Sequence, residues 1–152
     1  MPASTLKPKL QSDMKSSLKG GDKARLSVIR LMLAAIKQIE IDERIELDDS
    51  RITAVLDRMT KQRLESIEHF SRASRDDLIA IEEYELQTIR EYLPEPLSET
   101  EINALVEQSI QTSGASSIKD MGKVVGLLKP QLQGRADMKK VSQLIKSRLD
   151  TA

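Results

Sequence analysis

The sequence predicts an all-α fold, and three features of its 152 residues support that prediction. Apolar residues recur at three- and four-residue spacing along most of the chain, which is the period of an amphipathic helix. No segment shows the sustained alternation of apolar and polar residues that is typical of a half-buried strand. Several of the six glycines and five prolines stand where these helical patterns begin or end.

Four helices are predicted in residues 1–93. The first has an apolar residue at every fourth position and ends at Gly20-Gly21, after which Asp22 serves as the N-cap of the second. The second has a wide apolar face, which indicates burial between neighbouring helices. The third has its start signal at Asp48-Asp49-Ser50, and Ser74 is expected to cap the fourth.

A hinge and a smaller module follow. Two prolines one residue apart, in residues 94–97, stop the fourth helix and predict an extended joint. Ser98 and Glu101 then form the pattern of a capping box. We therefore divide the chain into a helical stalk at 1–93, a hinge at 94–97 and a three-helix module at 98–152.

Turn residues set the limits of the three module helices. The first is expected to end at Gly114 and the second before Pro130. Gly134 is expected to form a turn that presents Arg135, and Asp137 to cap the last helix. Gly126 is interpreted as a small residue that lets two helices pack closely.

Charge is unevenly distributed although the net charge is zero. Residues 1–39 contain eight Lys or Arg and two Asp or Glu, residues 40–110 contain eight and nineteen, and residues 111–152 contain eight and three. A basic end of this kind favours a polyanionic partner. The alternative is that the basic ends fold against the acidic middle and neutralise it.

Composition excludes several classes of protein. The chain has no cysteine, so disulfides, thiol nucleophiles and cysteine-ligated metals are excluded. The longest apolar run, Leu31–Ile36, is far shorter than the ~20 residues of a membrane span. The N-terminus lacks a signal-peptide pattern, and a soluble cytoplasmic protein is therefore expected.

Catalytic patterns are weak. Ser116 and Lys119 have the S-x-x-K spacing of some hydrolases, but the other signature segments are missing. Gly122-Lys123 lacks the spacing of a phosphate-binding loop. His69 has neither a nucleophile nor a second metal ligand beside it. We predict no catalytic residue, no cofactor and no metal site.

Acidic groups in two clusters are expected to be solvated rather than catalytic. One cluster spans residues 42–49, and the other contains Glu82, Glu83 and Glu85.

The basic end is the strongest candidate for a binding site. Its cations stand near helix starts, turns and polar faces, where side chains and free backbone amides can contact phosphates. Because the chain has no aromatic residue after Tyr92, RNA would be held by its phosphates and shape rather than by base stacking. The candidate nucleic-acid-binding residues are Lys119, Lys123, Lys129, Arg135, Lys139, Lys140 and Lys146. The alternative is an ordinary solvated helix surface.

The chain also resembles the GatB/YqeY family. The resemblance is most specific in residues 114–126 (GASSIKDMGKVVG), in Gly134-Arg135-Ala136-Asp137 and in residues 141–149. Upstream segments agree with it less specifically, at 25–31 with 34–37, at 61–63 with 66–67, and at 91–94. The resemblance covers nearly the whole chain, which therefore resembles a stand-alone YqeY-like protein. Pro96 replaces an expected polar residue in the hinge.

The resemblance implies a helical stalk with the tail that also ends the B subunit of tRNA-dependent amidotransferase, a carbon-nitrogen ligase that uses glutamine as amido donor. There the tail is understood to hold tRNA, while the catalytic domains have no counterpart in this chain. It thus implies a tRNA-binding accessory protein that is not catalytic by itself. The alternatives are a protein-protein adaptor that uses the acidic stalk and, least favoured, a complete ligase.

Overall fold

The computed structural model describes residues 4–132 and 135–150, and within these ranges the chain is helical and has no strand. The all-α prediction is confirmed. The chain divides into two compact units, Met1–Leu93 and Pro94–Ala152, called here the stalk unit and the tail unit. The described elements are α1 Leu6–Gly20, α2 Lys23–Glu43, α3 Asp49–Arg72, α4 Asp76–Arg90, α5 Glu99–Ser113, a 3₁₀ helix Ile118–Asp120, α6 Met121–Leu132 and α7 Met138–Asp150.

The stalk unit buries one apolar core between its four helices. α1 packs mainly against α2, and α3 packs mainly against α4. Each helix contributes side chains that are fully buried, including Leu10, Met32, Leu56 and Ile89. The core accounts for the wide apolar face of α2, since this helix contacts each of the other three.

Helix ends in the stalk unit follow the predicted turn residues with one exception. Gly21 has a φ of 72° and closes α1. The Asp22 carboxylate accepts from the Arg25 amide, so this predicted N-cap is confirmed. Asp48 accepts from the Arg51 amide and is the N-cap of α3, within the predicted start signal at residues 48–50.

Ser74 is the exception, and its predicted capping role is wrong. It has a φ of 55°, which places it in the left-handed turn after α3, whereas an N-cap residue usually has an extended backbone. Arg75 occupies the N-cap position of α4 without a side-chain cap, and its guanidinium pairs with Asp77 at 3.1 Å.

The tail unit has its own core, to which α5, α6 and α7 contribute Val106, Leu128 and Ile145, all fully buried. The predicted capping box of Ser98 and Glu101 is present at the start of α5. Gly114 ends α5 with a φ of 70°, as predicted.

Pro130 lies inside α6, so the prediction that this helix ends before it is wrong. The pyrrolidine ring has a φ compatible with the helix and removes one intrahelical hydrogen bond. Leu128 and Leu132 are fully buried on either side of it, and this packing holds the last turn helical. Asp137 accepts from the Lys139 amide at the start of α7, as predicted, while Gly134 lies outside the described residues.

No helix in the described part of the chain is long and apolar enough to cross a membrane. The described residues also contain no group of three or more His, Cys, Asp or Glu side chains placed to hold a metal ion.

Candidate nucleic-acid interface

The seven cations predicted to bind RNA differ in how they are placed. The six lysines are exposed, whereas Arg135 is half-buried. Within residues 4–132 and 135–150, none of the seven forms a salt bridge. In this region the salt bridge of Arg148, which is not among the seven, joins α7 to Glu107 of α5. The exposed lysines are therefore accessible to an anion.

The outer face of α6 combines cations with bare backbone. Successive helical residues are about 100° apart, so five residues share an arc of about 120°, in the order Lys129, Gly122, Gly126, Pro130 and Lys123. All five are exposed, and they lie opposite the fully buried Val124, Leu128 and Leu132. The two lysines thus border a strip in which the helix backbone has no side chain at Gly122 and Gly126 and carries only the Pro130 ring one turn further on. This strip and its two lysines are called the α6 face.

Gly126 does not serve the role predicted for it. A Cβ atom placed on Gly126 or on Gly122 would meet nothing within 4 Å, so neither glycine permits a close helix contact within the described structure. A glycine inside a helix costs roughly 1 kcal/mol relative to alanine. The described packing does not offset this cost.

Pro130 adds a second feature to the α6 face. Because proline has no N–H group, it cannot donate to the Gly126 carbonyl four residues earlier. That carbonyl lacks its regular helical partner, while the next carbonyl, of Leu127, accepts from the Gln131 side chain at 3.1 Å. The α6 face therefore contains a backbone carbonyl without its regular i+4 donor, next to the Pro130 ring.

The start of α6 adds another cation and one carboxylate. Lys119 is exposed on the 3₁₀ helix that leads into α6. The Asp120 carboxylate accepts from the Ser116 amide at 3.0 Å, and this bond, together with the nearby Lys123 ammonium, lowers the pKa of Asp120. Asp120 is thus charged near neutral pH and offsets part of the positive potential around Lys123.

The three lysines of α7 do not share one direction. Lys139 and Lys146 are seven residues apart and therefore differ by only about 20° around the helix. Lys140 points about 100° away from Lys139 and lines a groove between α5 and α7 with Glu99 and Asp137. Lys139 and Lys146 thus face the same side of α7, about 10 Å apart along its axis, and Lys140 faces another side.

Arg135 has a structural role in the tail unit. Its guanidinium Nε donates to the Glu95 carbonyl at 3.1 Å, and its own carbonyl accepts from the Leu97 amide at 2.8 Å. These two bonds hold the segment before α5 against the turn before α7. Arg135 is therefore a weaker candidate for an RNA contact than the exposed lysines.

Asp49 departs from the expectation that its acidic cluster is merely solvated. Its carboxylate accepts from the backbone amides of Thr5 and Leu6 and from the hydroxyls of Ser4 and Thr5. The Thr5 hydroxyl and the Leu6 amide are the main causes of a pKa lowered to about 2. Asp49 thus caps α1 from the first turn of α3, a role that sequence spacing could not reveal across more than forty residues.

The second acidic cluster is partly buried between α3 and α4. Arg63 pairs with Glu85 at 3.4 Å, and both side chains are largely buried. Burial, followed by the charge of Glu85, raises the pKa of Glu82. His69 is exposed, as expected for a residue without a catalytic partner.

Comparison with known proteins supports the family resemblance. The model of the family described as Yqey-like protein matches residues 7–149. Three fungal relatives share the name Altered inheritance of mitochondria protein 41, mitochondrial. The chain is 29% identical to that of Pyrenophora tritici-repentis over 95% of its length and 81% of the relative. It is 34% identical to that of Lachancea thermotolerans over 76% of its length and 66% of the relative. For Saccharomyces cerevisiae strain YJM789 the identity is 29% over 67% and 55%, respectively.

These names contradict the cytoplasmic location expected from the sequence, because the relatives are named as mitochondrial proteins. The chain spans less than two thirds of the latter two relatives and most of the first. The family match itself extends through both units, from α1 to α7. The chain belongs to the YqeY-like protein family.

Proposed function

We propose that this protein binds structured RNA, with tRNA as the favoured ligand, through the exposed cations of the tail unit. The observation that carries the proposal is the α6 face, where two lysines border two exposed glycines with open space above them. Folding gains nothing from these glycines. A ligand that must approach the helix backbone closely explains why both positions are occupied by glycine.

An RNA backbone suits this arrangement chemically. Lys123 and Lys129 are free to contact phosphates on the two sides of the strip, and Lys119 extends the positive surface beyond its start. The Gly126 carbonyl is an acceptor, and RNA offers a 2′-hydroxyl donor at each nucleotide. Lys139 and Lys146 form a second pair of cations on α7, and Lys140 lies apart from them.

The family supports the choice of tRNA. By resemblance, the tail matches the part of an amidotransferase that is understood to hold tRNA, and we propose an accessory role beside such a carbon-nitrogen ligase. The proposal assigns no catalytic step to this chain. Its action lies in holding the RNA.

Binding of folded tRNA, measured by fluorescence anisotropy over a range of salt, tests the proposal. Contacts to ~4 phosphates predict a log–log salt slope near −3, since each contributes about −0.7 to −0.9. The double variant K123E/K129E should lose at least ~10-fold in affinity and reduce the slope by about 2. As a matched control, K15E/K19E makes the same change in charge on exposed residues of α1 and should retain binding.

Gly126→Leu changes the shape of the α6 face and leaves its charge unchanged. A leucine there projects into open space, so the variant should fold, yet it blocks close approach and should weaken tRNA binding by at least ~10-fold. The proposal is wrong if the wild-type protein fails to bind tRNA at low salt, or if both α6 variants bind as the wild type does.

A further inference from the structure

The stalk unit contains a groove between α2 and α3 that the RNA proposal does not use. Its volume is about 360 Å³. Five apolar side chains line it, and all are at least partly buried: Ala35 and Ile39 from α2, and Ala54, Val55 and Met59 from α3. A groove with helical walls and an apolar floor is the shape that receives an amphipathic helix.

Two arginines stand at the α3 side of this groove. Arg51 and Arg58 both line it and are seven residues apart, so they lie on the same side of α3, about 10 Å apart along its axis. Arg58 is exposed and has no ion pair in the described residues. Arg51 bonds Glu43 at 2.5 Å through one nitrogen, which leaves further N–H donors of its guanidinium available. The groove therefore favours a helix that carries acidic residues at matching spacing.

The outer face of α4 has those properties. Asp76 and Glu83 are also seven residues apart, both are exposed, and neither has an ion pair in the part of the chain that the structure describes. Ala80 and Tyr84 fall within about 100° of them around the helix, whereas Ile81 lies beyond Tyr84, about 140° from Asp76. Tyr84 and Ile81 are 42% and 56% exposed, which is high for large apolar side chains.

We propose that the protein self-associates, with the outer face of α4 from one copy seated in the α2–α3 groove of a second copy. Ala80 and Tyr84 then cover the apolar floor, and Asp76 and Glu83 pair with Arg51 and Arg58. The proposed assembly is a dimer, in which a two-fold axis lets two copies exchange both contacts. The contact lies wholly in the stalk unit and does not depend on RNA binding.

Sedimentation equilibrium of the full-length protein between about 2 and 200 μM tests the proposal, because small protein–protein interfaces commonly dissociate in the micromolar range. The weight-average mass should rise from the chain mass of 17.1 kDa toward twice that value. Arg58→Glu should weaken association by ~10-fold or more, as should D76K/E83K, since each places like charges opposite one another.

Mixing the two variants gives the decisive measurement. In a mixed dimer, one contact is of the wild-type kind and the other pairs Glu at position 58 with lysines at positions 76 and 83, so the mixture should recover association that neither variant shows alone. Arg30→Glu and Glu65→Lys make the same charge changes at exposed residues outside both surfaces and should associate as the wild type does.

Circular dichroism establishes that each variant is folded. Ala54→Trp fills the groove without changing charge and should also abolish association, which keeps the test independent of the arginine variant. The proposal is overturned by a wild-type protein that stays monomeric at 200 μM, by variants that associate like the wild type, or by a mixture that does not recover. Association of the wild type with a loss in the groove and α4 variants alone supports it.

Discussion

In the stalk unit, charged side chains join helices that are distant in sequence, whereas the lysines of α6 and α7 extend from the tail unit without ion pairs in the described residues. Lys7 of α1 pairs with Glu40 of α2 at 2.8 Å. Arg25 of α2 pairs with Glu91 at 2.6 Å, just beyond α4. The basic residues of 1–39 are thus partly neutralised by the acidic middle of the chain.

Tyr92 contacts three charged side chains of the stalk unit. Its hydroxyl donates to Asp13 at 2.5 Å and accepts from Arg25 at 3.3 Å, while the Lys9 ammonium lies 5.4 Å from the ring centroid. Burial and the Asp13 carboxylate raise the pKa of Tyr92. Residues 1–39 and 111–152 each contain eight Lys or Arg, but only in the first segment do several of them contact distant acidic or aromatic side chains of the same unit.

The largest expected effect separates the two cores. Leu128→Ala deletes a fully buried side chain of the tail unit and should cost about 3 kcal/mol of unfolding free energy, from lost burial and the cavity left behind. Hydrogen exchange should show the loss in amides of residues 94–152 and not in those of the stalk unit. Its neighbour Leu127 is 41% exposed, so Leu127→Ala should cost well under 1 kcal/mol. Equal losses would contradict the assigned core.

A smaller effect is expected where charge stabilises the stalk unit. Asp49→Ala removes the cap of α1 and should cost about 1–2 kcal/mol. The Asp49 pKa is lowered in the folded state to about 2, so its contribution is complete above the ordinary value of 3.8 and is lost as pH falls toward 2.

Urea titrations at pH 7 and pH 3 measure both parts of this prediction. The difference between wild type and Asp49→Ala should shrink at the lower pH. Asp42→Ala serves as the control, since Asp42 is exposed and bonds Gln38 of the same helix. A constant difference across pH would show that the carboxylate is not the source of the stabilisation.

The smallest effect has the opposite sign. Gly126→Ala should stabilise the tail unit by about 0.5–1 kcal/mol, because alanine favours the helix and its methyl group meets open space. Gly114→Ala should instead destabilise it, since Gly114 has a φ of 70° that strains an L residue. Thermal melts of the two variants measure the contrast, and a loss of stability in Gly126→Ala would mean that this glycine is needed for folding after all.

Local signals predicted most of the fold. The Ser98–Glu101 box, the Asp22 cap and the terminal glycines depend on residues within one helical turn, and all are found where the sequence placed them. The predicted cap at Ser74 is wrong because a serine at a helix boundary can end one helix as well as cap the next. The predicted helix end before Pro130 is wrong because core packing on both sides outweighs the loss of one hydrogen bond.

The candidate site was harder to predict because it depends on what surrounds each residue. The spacing of Gly122 and Gly126 is compatible both with close helix packing and with an exposed strip, and only the structure shows open space around them. Arg135 looked equivalent to the lysines in sequence, but its bonds to the chain at 95–97 depend on tertiary structure. Exposure could not be inferred from residue type.

The cap that Asp49 places on α1 affects the order in which the molecule can open. The acceptor and the Thr5 amide are 44 residues apart, so the first turn of α1 has this partner only while the start of α3 is in place. Fraying at one site leaves the other with uncompensated charge or unbonded amides. The first turn of α1 and the start of α3 are therefore expected to open and close together.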